Sequence, residues 1–255
     1  MHPDDRQKIL RAIENMNIGS ADLMEVCGTH TMSIAKSGLK TMLPAGIKLL
    51  SGPGCPVCVT PEEMIDAILD LSMEKDVIIA TYGDMIRVPG SVQGDNLAAR
   101  RAHGARVEMV YSAIDAVMIA EANPEKQVVF LGAGFETTAP GTAAAVRTAA
   151  EKKIKNYSVL SMLKRVEPAL RALIEEDGFN VKGFICPGHV ATIIGENGFR
   201  FLAGEYGIPS VISGFEADVI LISVYRLAKQ IHEGRPVLEN EYTRAVRPEG
   251  NPAAL

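Results

Sequence analysis

Hydrophobic and polar positions follow two recurring patterns along this chain. Short apolar runs such as Ile47–Leu50 and Val77–Ala80 are typical of buried strands. Longer stretches such as Ile9–Met16 and Met64–Leu69 place apolar residues on one face of a helix. Because the two patterns alternate along most of the chain, the sequence predicts parallel sheets that are covered by helices on both faces.

The predicted organisation has two lobes of this kind. The predicted ranges are an N-terminal helical segment at 1–22, a first lobe carrying the cysteine motifs at 23–123, a second lobe at 124–234, and a tail or linker at 235–255. The boundary is placed at Asn123–Lys126, after which the pattern of strands and helices restarts. Gly134-Phe135-Glu136 recurs as Gly214-Phe215-Glu216. We therefore expect an α/β fold with two Rossmann-like parallel-sheet lobes facing each other across a cleft.

Composition narrows the functional classes. The 255 residues are 47% hydrophobic and 22% charged with a net charge of -5, which is typical of a soluble globular protein. There is no basic patch for nucleic acid, and no apolar run approaches the roughly 20 residues that span a bilayer. The first residues, Met1–Arg6, do not resemble a secretion signal, so the expected location is the cytoplasm. In that compartment a close pair of cysteines favours metal binding or redox chemistry.

Such a pair is formed by Cys55 and Cys58, which lie three positions apart after the strand Ile47–Leu50. A helix is predicted to begin directly afterwards, because Thr60–Glu63 has the pattern of a capping box with Thr60 as N-cap. Ligands bind at this end of the strands in α/β sheets, and a helix N-terminus favours thiolate over thiol. The pair is therefore a candidate soft-metal site or dithiol redox pair.

A third thiol, Cys27, follows the strand Leu23–Val26 at an equivalent turn and is accompanied by His30. Cys27 is expected to converge with the other two thiols on one metal ion. The residues leave alternatives open, including a closed Cys3His zinc site and buried structural cysteines. His30 is a candidate ligand, an acid or base, or a capped polar residue.

The second half of the sequence contains a turn that is a candidate site for an anionic ligand. The glycines of this turn follow a predicted strand, as in the dinucleotide-binding fingerprint. The fingerprint is incomplete, however, because Thr137 stands where it requires a third glycine. Backbone N–H groups and two threonine hydroxyls remain available there. The candidate binding residues are Gly134, Glu136, Thr137, Thr138 and, at a later turn, His189. Cys186 is expected to lie in the core.

Four motifs taken together resemble the HypD family of hydrogenase maturation proteins. They are Met24–Thr31, Gly52–Thr60, Gly132–Pro140 and Pro187–Val190. The resemblance runs from about Leu23 to the helix beginning at Phe215. It implies a cytoplasmic scaffold on which the iron centre of [NiFe]-hydrogenases is assembled, and not an enzyme that turns over a free metabolite. Iron carrying two cyanides and one carbon monoxide is built on a complex with HypC, HypE delivers cyanide, and the unit passes to the hydrogenase large subunit.

The resemblance also implies residue roles. Cys27 matches the favoured iron ligand, which is shared with a cysteine of HypC. Cys55 and Cys58 match a pair that serves iron binding or electron supply, and His30 matches a residue lining the same cleft. The family also carries a [4Fe–4S] cluster on cysteines of a further region, but this chain has no cysteine after Cys186. We therefore expect a truncated or shortened relative without the cluster.

Two other functions remain open beside this one. The first is a thiol–disulfide or nucleotide-dependent oxidoreductase that uses Cys55 and Cys58. The second is a protein with structural zinc. In the first alternative Cys27 would be dispensable, whereas in the second the removal of zinc would unfold the chain.

Overall fold

The computed structural model describes residues 1–255, in which strands and helices alternate. The helices are α1 Pro3–Asn15, α2 Gly28–Ser37, α3 Leu39–Met42, α4 Glu62–Ser72, α5 Leu97–Ala102, α6 Ala113–Ala122, α7 Ala139–Glu151, α8 Val166–Ile174, α9 Gly188–Ile194, α10 Arg200–Gly204 and α11 Ala217–Glu233. The strands are β1 Ala21–Glu25, β2 Ile47–Ser51, β3 Val77–Thr81, β4 Val107–Met109, β5 Gln127–Gly134, β6 Tyr157–Leu163, β7 Gly183–Pro187, β8 Ser210–Ser213 and β9 Leu238–Asn240.

The chain divides into two compact units, and the first comprises Met1–Gly54 together with Val166–Leu255. Its sheet has five parallel strands in the order β2-β1-β7-β8-β9. Leu23 of β1 pairs with Leu49 on one side and with Gly183 on the other. Apolar residues of α1, α2 and α11 pack against these strands and form the core of this unit.

The second unit, Cys55–Arg165, has a sheet of four parallel strands in the order β4-β3-β5-β6. Successive residues of β3 point to opposite faces of the sheet. Ile79 packs with residues of α4 and α5, whereas Ile78 and Ala80 pack with residues of α6 and α7. Both faces are therefore covered, which explains why the strand is a continuous apolar run.

The predicted α/β class with parallel sheets is confirmed, but the compact units do not follow the predicted ranges. The boundary expected at Asn123–Lys126 lies between α6 and β5, within one sheet. The predicted tail at 235–255 contains β9, which forms the edge of the first sheet. Residues beyond β9 also pair with the body of the unit, since the backbone N–H of Glu196 donates to the carbonyl of Arg247 at 3.2 Å.

The helices of this chain are too short or too polar for a bilayer crossing.

Candidate functional site

Cys27 lies at the point where β1 passes into α2. It is the N-cap residue of α2, with an extended backbone at φ -152° and ψ 123°, and its carbonyl accepts a bond from the N–H of Thr31 at 3.2 Å. The thiol is free and partly exposed, and it makes no capping hydrogen bond. Cys27 is therefore available to a ligand that approaches the start of α2.

The buried carboxylate of Glu25 accepts hydrogen bonds from residues of this turn and of α2. Only 2% of Glu25 is exposed, although it is an acidic residue. Its Oε2 accepts from the backbone N–H of Cys27 at 3.1 Å, and its Oε1 accepts from the hydroxyl of Thr31 at 2.5 Å. Glu25 was not predicted as a site residue. The only feature of the sequence that points to it is its position two residues before Cys27.

Two glycines allow the segment after β2 to lie on the same turn. A Cβ atom on Gly54 would lie 2.5 Å from the backbone nitrogen of Cys27 and 2.6 Å from its Cα. A Cβ atom on Gly52 would lie 2.6 Å from Sδ of Met24. At Gly54 the neighbours are backbone atoms, so only glycine permits this approach there. Gly54 is the last residue of its part of the first unit, and Cys55 follows it in the chain.

Cys55 and Cys58 form a disulfide in the structure, with their Cα atoms 5.3 Å apart. The pair occupies the turn between β2 and α4, and the backbone N–H of Cys58 contacts Sγ of Cys55 at 3.2 Å.

The predicted capping box is wrong, because Pro61 occupies the N-cap position of α4 and the hydroxyl of Thr60 donates backwards to the carbonyl of Pro56.

The expected metal ligands Cys27, Cys55 and Cys58 remain a prediction. No three His, Cys, Asp or Glu side chains of the chain are grouped to hold a metal ion. Cys55 and Cys58 are bonded to each other, so neither presents a thiolate, which is the form that binds metals.

His30 is fully buried in the first turns of α2. Its Nε2 lies 2.9 Å from the carbonyl oxygen of Gly214, so Nε2 carries the hydrogen and donates it. Nδ1 then holds a lone pair that is buried and has no hydrogen-bond partner. Burial lowers the pKa of His30 to about 4, although the backbone bonds oppose this shift. His30 is therefore neutral at pH 7 and not a solvent-facing acid.

An aromatic stack connects His30 to His189 through Phe215. The ring centre of Phe215 lies 4.7 Å from that of His30 and 3.9 Å from that of His189. His189 is exposed near the start of α9, and the part of it that is buried lowers its pKa. The structure thus brings His30 and His189 together on the two sides of Phe215 in the first unit. Phe215 was not predicted as a site residue, although the recurrence of Gly134-Phe135-Glu136 as Gly214-Phe215-Glu216 was a signal for it.

The predicted anion-binding turn belongs to the second unit. Residues 135–138 form the turn between β5 and α7, and Gly134 leaves room for the side chain of Thr138, which a Cβ would overlap. Thr137 is exposed and Glu136 is half-buried, whereas Thr138 is the N-cap residue of α7 without a capping hydrogen bond. The turn presents a hydroxyl and the start of a 13-residue helix, and its role in ligand binding remains a prediction.

Cys186 lies in β7 and is completely buried. Burial raises the pKa of its thiol, because an apolar interior disfavours the thiolate. It is a core residue, as expected.

Comparisons with known proteins place these motifs in a family. The HypD sequence model, "Hydrogenase formation hypA family", matches residues 5–255. The hydrogenase maturation factor HypD2 of Bradyrhizobium diazoefficiens is 44% identical over 234 residues, covering 89% of this chain and 61% of the relative. HypD of Rhodobacter capsulatus is 43% identical, covering 91% of this chain and 61% of the relative. HypD of Cupriavidus necator is 41% identical, covering 91% and 63%.

The chain thus spans about three-fifths of the length of these curated relatives. The range matched by the family model, residues 5–255, contains all four cysteines of the chain. The chain belongs to the HypD family of hydrogenase formation proteins.

Proposed function

We propose that this chain serves hydrogenase maturation as a scaffold that holds iron through Cys27. The observation that carries the proposal is the state of its cysteines. Cys27 is the one cysteine that is both unpaired and partly exposed, and it caps α2 at the carboxyl end of β1. Relatives of the chain are named hydrogenase maturation factors. The proposed location is the cytoplasm, where such thiols stay reduced.

The proposed cargo is iron carrying two cyanides and one carbon monoxide. A single protein thiolate leaves most coordination positions of the metal open, whereas structural zinc sites use four protein ligands. The open positions suit cyanide, carbon monoxide and a cysteine of the partner HypC. HypE is the proposed donor of cyanide, and the hydrogenase large subunit is the proposed acceptor of the finished unit.

Cys55 and Cys58 have two proposed roles in this scheme. A thiol reductant can open their disulfide by exchange, which yields two thiols and leaves the reductant oxidised. We propose that the two thiols either join Cys27 as ligands of iron, or supply two electrons by closing the disulfide again with release of two protons. The family resemblance supports both roles, and the structure contains the pair in its disulfide-bonded form.

The test is infrared spectroscopy of the chain after anaerobic co-expression with HypC. We expect bands of iron-bound cyanide and carbon monoxide in the wild-type chain and their loss in Cys27→Ala. Cys186→Ala is the matched control, because it also removes a free thiol, but from the core. Stoichiometric iron in Cys27→Ala would reject the proposal, provided that far-UV circular dichroism shows a folded variant.

A thiol–disulfide oxidoreductase is the second candidate, and the disulfide itself favours it. Its C-x-x-C spacing in a turn before a helix is common to redox-active pairs. In that case Cys55→Ser would abolish disulfide exchange with a model thiol substrate, while Cys27→Ala would leave the exchange rate unchanged. Loss of exchange in both variants would instead favour one shared site.

A further inference from the structure

Strand β6 forms one edge of the four-stranded sheet in the second unit. It pairs with β5 over its whole length, Tyr157–Leu163, and no strand lies on its other side. The backbone N–H of Val128 in β5 donates to the carbonyl of Asn156, so the even-numbered positions of β6 face β5. The backbone groups of the odd-numbered positions point away from the sheet, and no other segment of the chain bonds to them. These positions are Tyr157, Val159, Ser161 and Leu163.

The free edge of β6 lacks the features that usually protect a strand edge. Such edges are blunted by charged residues, by proline, by bulges or by a covering element. The seven residues of β6 include no charged residue and no proline, and their register with β5 is unbroken. Ser158 and Ser161 point to opposite faces of the sheet, and both are exposed. The edge is therefore open to an added strand.

Cationic side chains flank this uncharged edge at both ends. Lys153 and Lys155 precede β6, and Lys164 and Arg165 follow it. A second copy of β6 is a poor occupant, because a symmetric pair of these strands runs antiparallel and brings Lys155 of one copy close to Lys164 of the other. Charge complementarity instead favours a segment with an uncharged centre and acidic residues at its ends.

We propose that the free edge of β6 binds an extended segment of a partner protein, with an apolar, uncharged centre and aspartate or glutamate at both ends. The segment adds a fifth strand to the sheet of the second unit. Its backbone bonds to the outward N–H and C=O groups of β6, and its alternate side chains lie beside those of Val159 and Leu160 on the two faces. This surface is independent of the iron binding proposed for Cys27.

The probe is the synthetic peptide DETVTVTVTED, which is labelled with fluorescein and titrated with the full chain by fluorescence anisotropy. The control peptide KKTVTVTVTKK has the same centre and lysine ends. We expect the acidic peptide to bind about tenfold more tightly than the control, and salt to reduce that difference. Equal binding of the two peptides, or no binding of the acidic one, would overturn the proposal.

Ser161→Pro places the test on the strand edge. It removes one outward N–H and leaves the bonds to β5 in place, since proline is tolerated on the free side of an edge strand. We expect Ser161→Pro to weaken binding of the acidic peptide by about tenfold, because a carbonyl of the peptide loses its donor. Ser161→Ala is the matched control, which keeps the N–H and should bind like the wild type. Unchanged affinity in a folded Ser161→Pro would place the peptide elsewhere and reject the proposal.

The double variant Lys155→Glu with Lys164→Glu tests the charges without altering the backbone, and so serves also if Ser161→Pro does not fold. We expect it to bind the lysine-flanked peptide more tightly than the acidic one. An unchanged preference would show that these lysines do not select the segment. Sedimentation of the chain without peptide tests the other occupant, since a dimer that Ser161→Pro dissociates would mean that β6 binds a second copy, contrary to the proposal.

Discussion

The contact between Gly54 and the turn at Cys27 makes Gly54→Ala the most informative single change in this chain. The added methyl group would lie 2.5 Å from the nitrogen of Cys27 and 2.6 Å from the carbonyl carbon of Val26. These are backbone atoms of a turn between a central strand and a helix, so no side-chain rotation can relieve the overlap. Either the segment after β2 or the start of α2 has to move.

The expected cost follows from this geometry. Overpacking in a close-packed interior costs about 1–3 kcal/mol, and the rigid backbone puts Gly54→Ala near the upper end, at about 3 kcal/mol. The matched control is Gly28→Ala, one residue beyond Cys27. A Cβ on Gly28 meets nothing within 4 Å, and alanine is favoured over glycine in a helix by about 0.5–1 kcal/mol. The two substitutions should therefore shift stability in opposite directions.

Urea unfolding followed by far-UV circular dichroism measures both variants, since the chain has no tryptophan to report on folding. With a slope of about 2 kcal/mol per M, Gly54→Ala should lower the unfolding midpoint by about 1.5 M. Gly28→Ala should leave the midpoint unchanged or raise it by a few tenths of a molar. A Gly54→Ala midpoint within about 0.3 M of the wild type would refute the proposed close packing on Cys27.

Two further predictions concern protons and thiols. Burial lowers the pKa of His30 from 6.5 to about 4. Between these two pH values the unfolded chain binds a proton at His30 and the folded chain does not. The free energy of unfolding should therefore fall by about 3 kcal/mol as pH falls from 6.5 to 4. His30→Gln should flatten the dependence of the urea midpoint on pH in that window, and an unchanged slope would contradict the assignment. Ellman's reagent should detect one thiol, Cys27, in the folded chain and three after reduction of Cys55–Cys58. Unfolding under reducing conditions should expose Cys186 as the fourth, whereas a second reactive thiol before reduction would contradict the disulfide.

The elements of the fold could be predicted from the sequence because each depends on local patterning. The apolar run Ile47–Leu50 lies within β2, and Val77–Ala80 lies within β3. The two-sided burial of β3 makes its run continuous, and that pattern is visible without any knowledge of the partner strands.

The division into units could not be predicted in the same way, because it depends on which strands pair. Gly183 of β7 pairs with Leu23 of β1, although most of the chain separates them. Nothing in the local pattern of either strand identifies the other as its neighbour. The restart of the pattern at Asn123–Lys126 is equally consistent with a new lobe and with a further unit of the same sheet. The same limit applies to His30, because the carbonyl group that accepts its hydrogen bond belongs to Gly214, which is distant in the sequence.

Register also explains why two cysteines at the ends of neighbouring strands differ so much in chemistry. Glu25 of β1 pairs with Ile185 of β7, and this register continued by one residue places Val26 level with Cys186. Cys186 is still within its strand and is buried, whereas Cys27 lies two residues beyond the end of β1, at the N-cap of α2. The position of each cysteine relative to its strand end therefore separates a core thiol from an accessible one. Spacing within either motif does not reveal that position, since it is set by the alignment of two strands.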